Sequence, residues 1–237
     1  MSLRKEMKNV VDIQGTLCLP IRIFFVKEGP SKYMSHLDLM RCMTRVVRRA
    51  GVPIWYTEGF NPHPFMTFAL PLSLGTSGMS ESMDVRLTED MPFDEVNDRL
   101  NSALCEGIYV TNVDYQCEKA TAIKSALYRV TLAVEGIDGA KLKELIERYL
   151  SQAEITVQKK NKKKQLVDID VKPHVLSYEA VSDGDCAVLT IRLPAGSDVN
   201  INPNIILNGF AGANSIEFDK CDIVRERILT ENGEDFK

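Results

Sequence analysis

The stretch SHLDLMRCMTRVVRRAGVPIWYTEGFNPHPFMTFALPLSLG, residues 35–75, decides the fold of the first half of the chain. It predicts a helix over residues 36–50, with Ser35 as its N-cap and with Gly51 and Pro53 as its stop signals. At about 100° per residue, apolar side chains occupy one side of this helix and charged side chains the other. The apolar side holds Leu39, Met40, Met43, Val46, Val47 and Ala50, and the charged side holds Asp38, Arg41, Arg45, Arg48 and Arg49. We expect the apolar side to face a core and the four arginines, named here the arginine face, to point outward.

The arginine face predicts a surface that binds phosphates. A guanidinium group donates two parallel hydrogen bonds to phosphate oxygens, whereas a lysine ammonium acts as a point charge. Asp38 is the acidic residue on the same side of the helix, and it cannot neutralise four arginines. The alternative interpretation is a solvated helix surface without a ligand, which is the usual role of charged helix faces.

The loop over residues 58–64, EGFNPHP, is the second feature of this stretch. Prolines flank His63 on both sides and fix the backbone there, while Gly59 and Asn61 tolerate unusual dihedral angles. We expect the loop to be stiff and to hold Asn61 and His63 ready to bind RNA or phosphate, because such loops often carry function.

His63 and His36 are the candidate catalytic residues. A pair of histidines can act as general acid and base in RNA backbone cleavage, and either can equally be a hydrogen-bonded structural group. His36 lies at the start of the predicted helix, where the helix dipole disfavours the imidazolium form. No H-x-x-x-H or related spacing indicates a metal site, so we expect no metal in this chain.

Six neighbouring residues are candidates for a supporting role. Ser35 and Asp38 lie beside the arginine face, Phe60 lies in the 58–64 loop, and Glu58, Glu81 and Asp84 are placed to orient the arginines or histidines. The alternative for these carboxylates is an ordinary exposed position on the protein surface.

The aromatic residues Trp55, Tyr56 and Phe60 are candidates for stacking on RNA bases. For Trp55, which follows Ile54 in a predicted strand, a position in the core is the alternative. A lysine-rich turn over residues 159–164 is a further candidate contact for nucleic acid, and the alternative is an exposed hairpin kept soluble by its charge.

The order of the predicted elements indicates an α+β fold of two tandem ferredoxin-like modules, each βαββαβ with an antiparallel sheet. The expected boundaries are a leader over residues 1–19, a first module over 20–118 and a second over 125–230.

In the first module we expect extended segments at 21–26, 54–57, 65–70, 83–87 and 108–113, a second helix opened by Asp90 and Pro92, and a mobile polar connection over 73–82. Alternating apolar and polar residues over 83–87 predict a half-exposed strand. In the second module we expect strands at 127–134, 155–158, 166–171, 186–193 and 216–229 and helices at 140–150 and 203–210.

Composition narrows the class of protein. With 44% hydrophobic residues the chain can bury a core, and its net charge of −4 means that any affinity for nucleic acid comes from local patches. The six cysteines show no C-x-x-C spacing, which predicts reduced, scattered thiols. No apolar run approaches the roughly 18 residues that span a bilayer, and the N-terminus lacks the apolar core of a signal peptide. We therefore expect a cytoplasmic protein without a membrane partner.

Five segments carry a family resemblance: SHLDLMR at 35–41, RRAGVP at 48–53, EGFNPHP at 58–64, FALPLSLG at 68–75 and SESMDV at 80–85. They resemble the radical-SAM-linked proteins of unknown function, whose members lie beside a cobalamin-binding radical SAM protein or are fused to its C-terminal end. A weaker match is DVKP at 170–173, where the family leads us to expect Asp-Ile-Arg-Pro. The resemblance implies a partner that carries the iron–sulfur cluster, S-adenosylmethionine and cobalamin. This chain has no C-x-x-x-C-x-x-C triad to hold such a cluster, so we expect no cofactor in it.

These observations lead to three functional hypotheses. The first is an accessory protein of a radical SAM enzyme that binds an RNA substrate, tRNA or rRNA, and is not an enzyme on its own. The second is a metal-independent endoribonuclease similar to those that process CRISPR repeats, which also use two ferredoxin-like modules and often a histidine, here His36 or His63. The third is an adaptor that binds proteins alone.

Overall fold

The computed structural model describes residues 18–160 and 166–237, and it shows an α+β fold with antiparallel sheets. One compact unit extends to Ala120, and a second runs from Thr121 to Phe236. Most of the expected leader lies outside the described residues, as does the lysine-rich turn apart from the backbone at its start.

The first unit carries four paired strands and two α-helices within its described residues. The strands are β1 (Leu19–Lys27), β2 (Met66–Phe68), β3 (Thr76–Leu87) and β4 (Ile108–Tyr115), and the helices are α1 (His36–Arg49) and α2 (Phe93–Ala103). All pairs are antiparallel, and the strand order is β4-β1-β3-β2. The strand predicted over 54–57 is wrong, because the segment forms only isolated bridges, from Ile54 to Leu87 and from Tyr56 to Pro64.

Helix α1 begins at His36, as the sequence predicts, because Ser35 caps it. The Ser35 hydroxyl accepts a hydrogen bond from the backbone N–H of Asp38 at 3.2 Å and donates one to the Asp38 carboxylate at 2.7 Å. This satisfies one of the N–H groups that a helix start leaves without a partner. Met40, predicted on the apolar side, is 36% exposed, so the buried stripe is narrower than the sequence indicates. The buried residues of α1 are Leu39, Met43, Val46 and Val47.

The mobile polar connection predicted over 73–82 is wrong, because most of this segment is the first half of β3. Glu81 is only 3% exposed and Lys27 in β1 only 1%. Lys27 donates from Nζ to the backbone carbonyl of Met34 at 2.7 Å. A Cβ added at Gly78 would lie 2.3 Å from Oε1 of Glu81, so the Glu81 carboxylate fills the space over this glycine. Glu81 is therefore a buried group of the sheet and not a surface carboxylate.

Asp84 belongs to a buried ion pair, so the half-exposed strand predicted over 83–87 is also wrong. Arg22 in β1 donates from Nε to Oδ1 of Asp84 at 2.6 Å and from Nη2 to Oδ2 at 2.8 Å. Gln116 donates to the same carboxylate at 2.7 Å. Arg22 and Asp84 lie opposite each other in the register of β1 and β3. The alternating pattern is present, but Asp84 is buried because it pairs with Arg22 across the strands.

The second unit pairs four strands in the order β10-β5-β9-β8 and carries a separate hairpin. Its strands are β5 (Ile123–Ala133), β6 (Thr156–Lys160), β7 (Leu166–Asp170), β8 (Ser177–Asp183), β9 (Cys186–Pro194) and β10 (Lys220–Thr230), and its helices are α3 (Gly139–Leu150) and α4 (Pro203–Asn214). The strands predicted at 155–158 and 166–171 are the hairpin β6–β7 and lie outside the four-stranded set. No strand is predicted from the sequence at β8, because its residues show no alternation of apolar and polar side chains. Ala180 is the one buried residue of this strand. Helix α4 is longer than predicted, and β10 begins later.

Replacing Asp84 with Ala is expected to lower the free energy of unfolding by about 3 kcal/mol, because the buried Arg22 loses both of its hydrogen bonds to the Asp84 carboxylate. Asp114→Ala is the matched control, since Asp114 is exposed and is the register partner of Arg22 in β4. Urea denaturation followed by circular dichroism measures both variants. Equal denaturation midpoints would contradict a structural role for the pair.

Candidate functional site

The arginine face is exposed along its length, and its first two residues differ in their neighbours. Arg41 pairs with Asp38 at 3.0 Å, and both side chains remain more than half exposed. Hydrogen bonds from Ser35 and, secondarily, from Arg41 hold the pKa of Asp38 below its ordinary value. Arg45 makes no hydrogen bond or ion pair with the residues that the structure describes, so its guanidinium group is available to a ligand.

Arg48 and Arg49 connect the arginine face to two other segments, one at Tyr56 and one at the end of α2. Arg48 donates from Nε to the Tyr56 hydroxyl at 3.1 Å, and its guanidinium carbon lies 5.6 Å from the centre of the Tyr56 ring. Arg49 donates to the backbone carbonyl of Ala103 at the end of α2. Neither contact involves a carboxylate, so neither neutralises the positive charge. The sequence gives no signal for the link between Arg48 and Tyr56.

A cleft of about 490 Å³ opens along α1 beside the arginine face. Its walls carry three guanidinium groups and one carboxylate, which gives them a net positive charge. The volume lies within the range of roughly 300–1,000 Å³ typical of small-ligand sites. The residues that line it include Asp38, Arg41, Cys42, Arg45, Arg49 and Cys105. The cleft therefore has the size and charge to hold a nucleotide-sized anion.

Two thiols face each other in this cleft, so the prediction of scattered cysteines is wrong for this pair. The sulfur atoms of Cys42 and Cys105 lie 4.0 Å apart, and both cysteines are free. Burial raises the pKa of the Cys42 thiol, the Cys105 thiol raises it further, and the charges of Arg49 and Arg45 act in the opposite direction. No spacing pattern in the sequence connects these cysteines, since one lies on α1 and the other follows α2.

Residues 54–65 form a narrow hairpin that carries the 58–64 loop at its tip. The Phe65 N–H donates to the Trp55 carbonyl at 2.9 Å, and the Thr57 N–H donates to the His63 carbonyl at 2.9 Å. Gly59 has a φ of 119°, which favours glycine over any residue with a side chain. These backbone bonds and the prolines next to His63 restrict the conformations of the tip.

His63 is exposed, and its position is set by hydrogen bonds within the hairpin. Its backbone N–H donates to the Thr57 hydroxyl at 3.2 Å, and its Nδ1 lies 3.0 Å from the same hydroxyl and 3.2 Å from the carbonyl oxygen of Asn61. A carbonyl oxygen only accepts, so the contact with Asn61 is a hydrogen bond when Nδ1 carries the proton. That tautomer leaves Nε2 as an acceptor, and the ring contacts of His63 with the described residues involve Nδ1.

The aromatic candidates divide between packed and exposed positions. Trp55 is half-buried and contacts the edge of the Phe65 ring at 5.7 Å between centroids. Tyr56 is exposed and bonded to Arg48. Phe60, at the tip of the hairpin, is fully exposed at 111%.

Two of the remaining candidates, His36 and Glu81, do not join His63. The His36 ring packs edge-on against Phe68 with centroids 5.2 Å apart, and in the described part of the chain no hydrogen bond or ring contact links His36 to His63. Glu58 and Asn61 are exposed next to the hairpin tip. Glu81 is buried in the sheet, as described above, so it cannot orient groups on the surface.

Residues 18–160 and 166–237 bring together no group of three or more His, Cys, Asp or Glu side chains able to hold a metal ion. None of the helices in the same residues is both long and apolar enough to cross a membrane.

Residues 20–203 match the profile of one family, described as an uncharacterized protein conserved in bacteria, DUF2344. The chain belongs to this family. The matched range of this DUF2344 chain includes the whole arginine face, the cleft and the hairpin. The chain matches none of the curated proteins.

Two solved structures are similar to this DUF2344 chain. One comes from the crystal structure of a Cbf5–Nop10–Gar1 complex, with 12% identity, 89% of this chain covered and a TM-score of 0.47. The similarity covers 50% of that structure's chain, so the present chain spans about half its length. The other is an unknown protein from Galdieria sulphuraria, with 9% identity, 87% of this chain and 99% of that chain covered, and a TM-score of 0.26. At these identities and scores the similarities carry no functional argument.

Iodoacetamide is expected to alkylate Cys42 more slowly than Cys117 at pH 7, because the raised pKa of Cys42 leaves less thiolate. The rate at Cys42 should then increase as the pH rises and the thiol loses its proton. Mass spectrometry of the labelled protein over time measures both rates, and exposed Cys117 is the internal control. Equal rates at pH 7 would contradict the assignment of a raised pKa.

Proposed function

We propose that this DUF2344 chain binds an RNA, tRNA or rRNA, through the arginine face and the 58–64 loop. The observation that carries the proposal is the cleft along α1, where Arg45, without a partner among the described residues, lies between Arg41 and Arg49. These three arginines are four residues apart, which is about 6 Å of rise along the helix axis. This spacing is close to that of successive phosphates along a nucleic-acid strand.

The charge distribution supports an anionic polymer as the ligand. The whole chain has a net charge of −4, yet the described walls of the cleft are positive. A local positive patch on an acidic protein attracts phosphates to one place rather than to the whole surface. Guanidinium groups also bind phosphate through paired hydrogen bonds, which gives the contact a direction as well as a charge.

We further propose that the chain works with a cobalamin-binding radical SAM protein. The support is the sequence resemblance, which is highly specific between residues 35 and 85, the range that contains the arginine face and the loop. In this arrangement the partner holds the cluster, S-adenosylmethionine and cobalamin and performs the reaction, while this chain holds the RNA. Six free cysteines suit a reducing compartment, so we place the pair in the cytoplasm.

We propose in addition that each unit is a ferredoxin-like module. The strand orders β4-β1-β3-β2 and β10-β5-β9-β8 support this, because both are the order in which a βαββαβ chain forms its antiparallel sheet. In the second unit β8 then takes the place of the second strand, and the hairpin β6–β7 is an insertion.

A second candidate function, a metal-independent endoribonuclease, is favoured by one observation. The contacts of His63 with Thr57 and Asn61 leave Nε2 as an acceptor, which is the arrangement a general base requires. In the described part of the chain, the Thr57 hydroxyl is the one side-chain group that contacts His63. No second acid–base group contacts it there. We therefore rank RNA binding without cleavage above it.

Replacing Arg41, Arg45 and Arg48 together with Ala is expected to abolish salt-sensitive RNA binding and to leave the melting temperature nearly unchanged, because all three side chains are exposed. For every phosphate that is no longer neutralised, the slope of log K against log salt concentration should also fall by roughly 0.7–0.9. Fluorescence anisotropy with labelled tRNA at several salt concentrations measures both effects. Arg148→Ala, on the exposed surface of α3, is the matched control.

Wild-type affinity and slope in the triple variant would refute the proposed site. Co-purification with the radical SAM partner, together with no RNA affinity at any salt concentration, would instead establish the protein adaptor.

His63→Ala and wild-type protein are both expected to leave RNA intact after incubation in EDTA, because His63 lacks an acid–base partner in the described residues. Denaturing gel electrophoresis of the RNA measures cleavage, and His174→Ala, in the second unit, serves as the control. Cleavage by the wild-type protein that disappears in His63→Ala and persists in the control would establish the endoribonuclease.

A further inference from the structure

The structure points to a single-stranded segment of RNA as the ligand, and we propose that one unpaired base stacks on the Phe60 ring at the tip of the hairpin. This inference rests on the proposed function, because it assumes that the arginine face holds the phosphates. It adds the class of substrate, unpaired rather than double-stranded RNA, and it assigns a role to Phe60.

Phe60 is presented to solvent by a stiff support. The side chain is fully exposed, while the hairpin beneath it is fixed by backbone hydrogen bonds between Trp55 and Phe65 and between Thr57 and His63. An exposed phenyl ring loses the free energy that burial would supply, so folding does not explain its place. Because these bonds already restrict the backbone of the hairpin, a base that stacks on the ring has little further backbone entropy to remove.

The hairpin tip is within reach of the arginine face. Tyr56, at the base of the hairpin, accepts a hydrogen bond from Arg48. Phe60 follows four residues later, which corresponds to at most about 13 Å of extended chain. A strand with a phosphate at Arg48 can therefore place a base at Phe60 within a few nucleotides.

The charges around the tip favour a base over a phosphate at Phe60. Glu58, two residues before Phe60 in the chain, is exposed, and so is the neutral side chain of Asn61 directly after it. The carboxylate repels phosphates from the tip and leaves them to the arginine face, whereas a neutral base is not repelled. Inside a duplex both faces of every base are already stacked on other bases, so an unpaired base is free to stack on the ring and a base within a duplex is not.

The surroundings of Phe60 suit an RNA base better than a protein partner. Protein interfaces need a continuous buried area, and their centres are apolar. The residues that follow Phe60 in the loop, Asn61, Pro62 and His63, are all exposed and include two polar side chains. One aromatic ring among polar groups is instead the pattern of a stacking platform for single strands.

The test compares two labelled RNAs, a 12-nucleotide single strand and a blunt duplex of the same length, by fluorescence anisotropy. Phe60→Ala is expected to weaken binding of the single strand roughly tenfold and to leave duplex binding unchanged. Phe60→Trp should bind the single strand as tightly as the wild-type protein does. The indole fluorescence of this variant should fall when the RNA binds. The wild-type protein supplies the spectral baseline, because Trp55 is its one tryptophan. Tyr33→Ala is the control, since Tyr33 is an aromatic residue that is 67% exposed.

The outcomes separate this inference from the proposed function. Phe60→Ala could bind the single strand with wild-type affinity while the triple arginine variant does not bind it. That result would overturn the stacking role and leave the proposed RNA site intact. Equal affinity for single strand and duplex would overturn the substrate class. Absence of RNA binding in the wild-type protein would overturn both. Loss of a protein partner in Phe60→Ala, with RNA binding unchanged, would assign the ring to a protein interface and contradict the inference.

Discussion

The burial of one side of helix α1 determines where every candidate residue on that helix points. Leu39, Met43, Val46 and Val47 are each 3% exposed or less. Burying each of them stabilises the fold by about 1.5–3 kcal/mol, or roughly 6–12 kcal/mol together, which is comparable with the whole stability of a typical domain. Rotating the helix by one residue, about 100°, would expose these side chains and bury arginines. The direction of the arginine face is therefore fixed by packing and does not depend on a ligand.

The polar groups of the adjacent sheet provide a second constraint. Asp84 pairs with Arg22, and Lys27 binds the carbonyl of Met34 in the segment that leads into α1. The Lys27 bond joins the sheet to the start of the helix. Burying such charges is costly unless they are paired and hydrogen-bonded, so these contacts limit the arrangements that the segment can adopt. Sheet and helix together thus position the cleft that contains Arg45.

Local signals predict the parts of the structure that local chemistry determines. The cap at Ser35 and the 3.6-residue period of α1 act over a few residues, and the structure has the helix start and its buried side at the predicted positions. The prolines beside His63 predict a loop there, but they do not predict that the loop is the tip of a hairpin. The prediction of a connection over 73–82 fails, because Ser and Gly favour turns unless a neighbouring strand pairs with them. The prediction of a half-exposed position for Asp84 fails for a similar reason, since its partner Arg22 is distant in sequence.

Other features have no signal in the sequence at all. Strand β8 is an edge strand with only Ala180 buried, so its residues show no apolar alternation. The sulfur atoms of Cys42 and Cys105 meet because α1 packs beside the end of α2, which no spacing reveals. The same holds for the bond from Arg48 to Tyr56, which connects helix and hairpin. Contacts of this kind depend on the tertiary fold, and they are the ones that join the candidate residues into one surface.

The central claim is that an anionic ligand contacts the outward row of guanidinium groups on α1. The most direct measurement is chemical modification of arginines by phenylglyoxal, with and without saturating RNA, followed by mass spectrometry of the labelled peptides. We expect RNA to protect Arg45 most strongly, because Arg45 lacks a partner among the described residues, and to leave Arg148 on α3 fully reactive. Unchanged reactivity of Arg45 in the presence of bound RNA would contradict the claim.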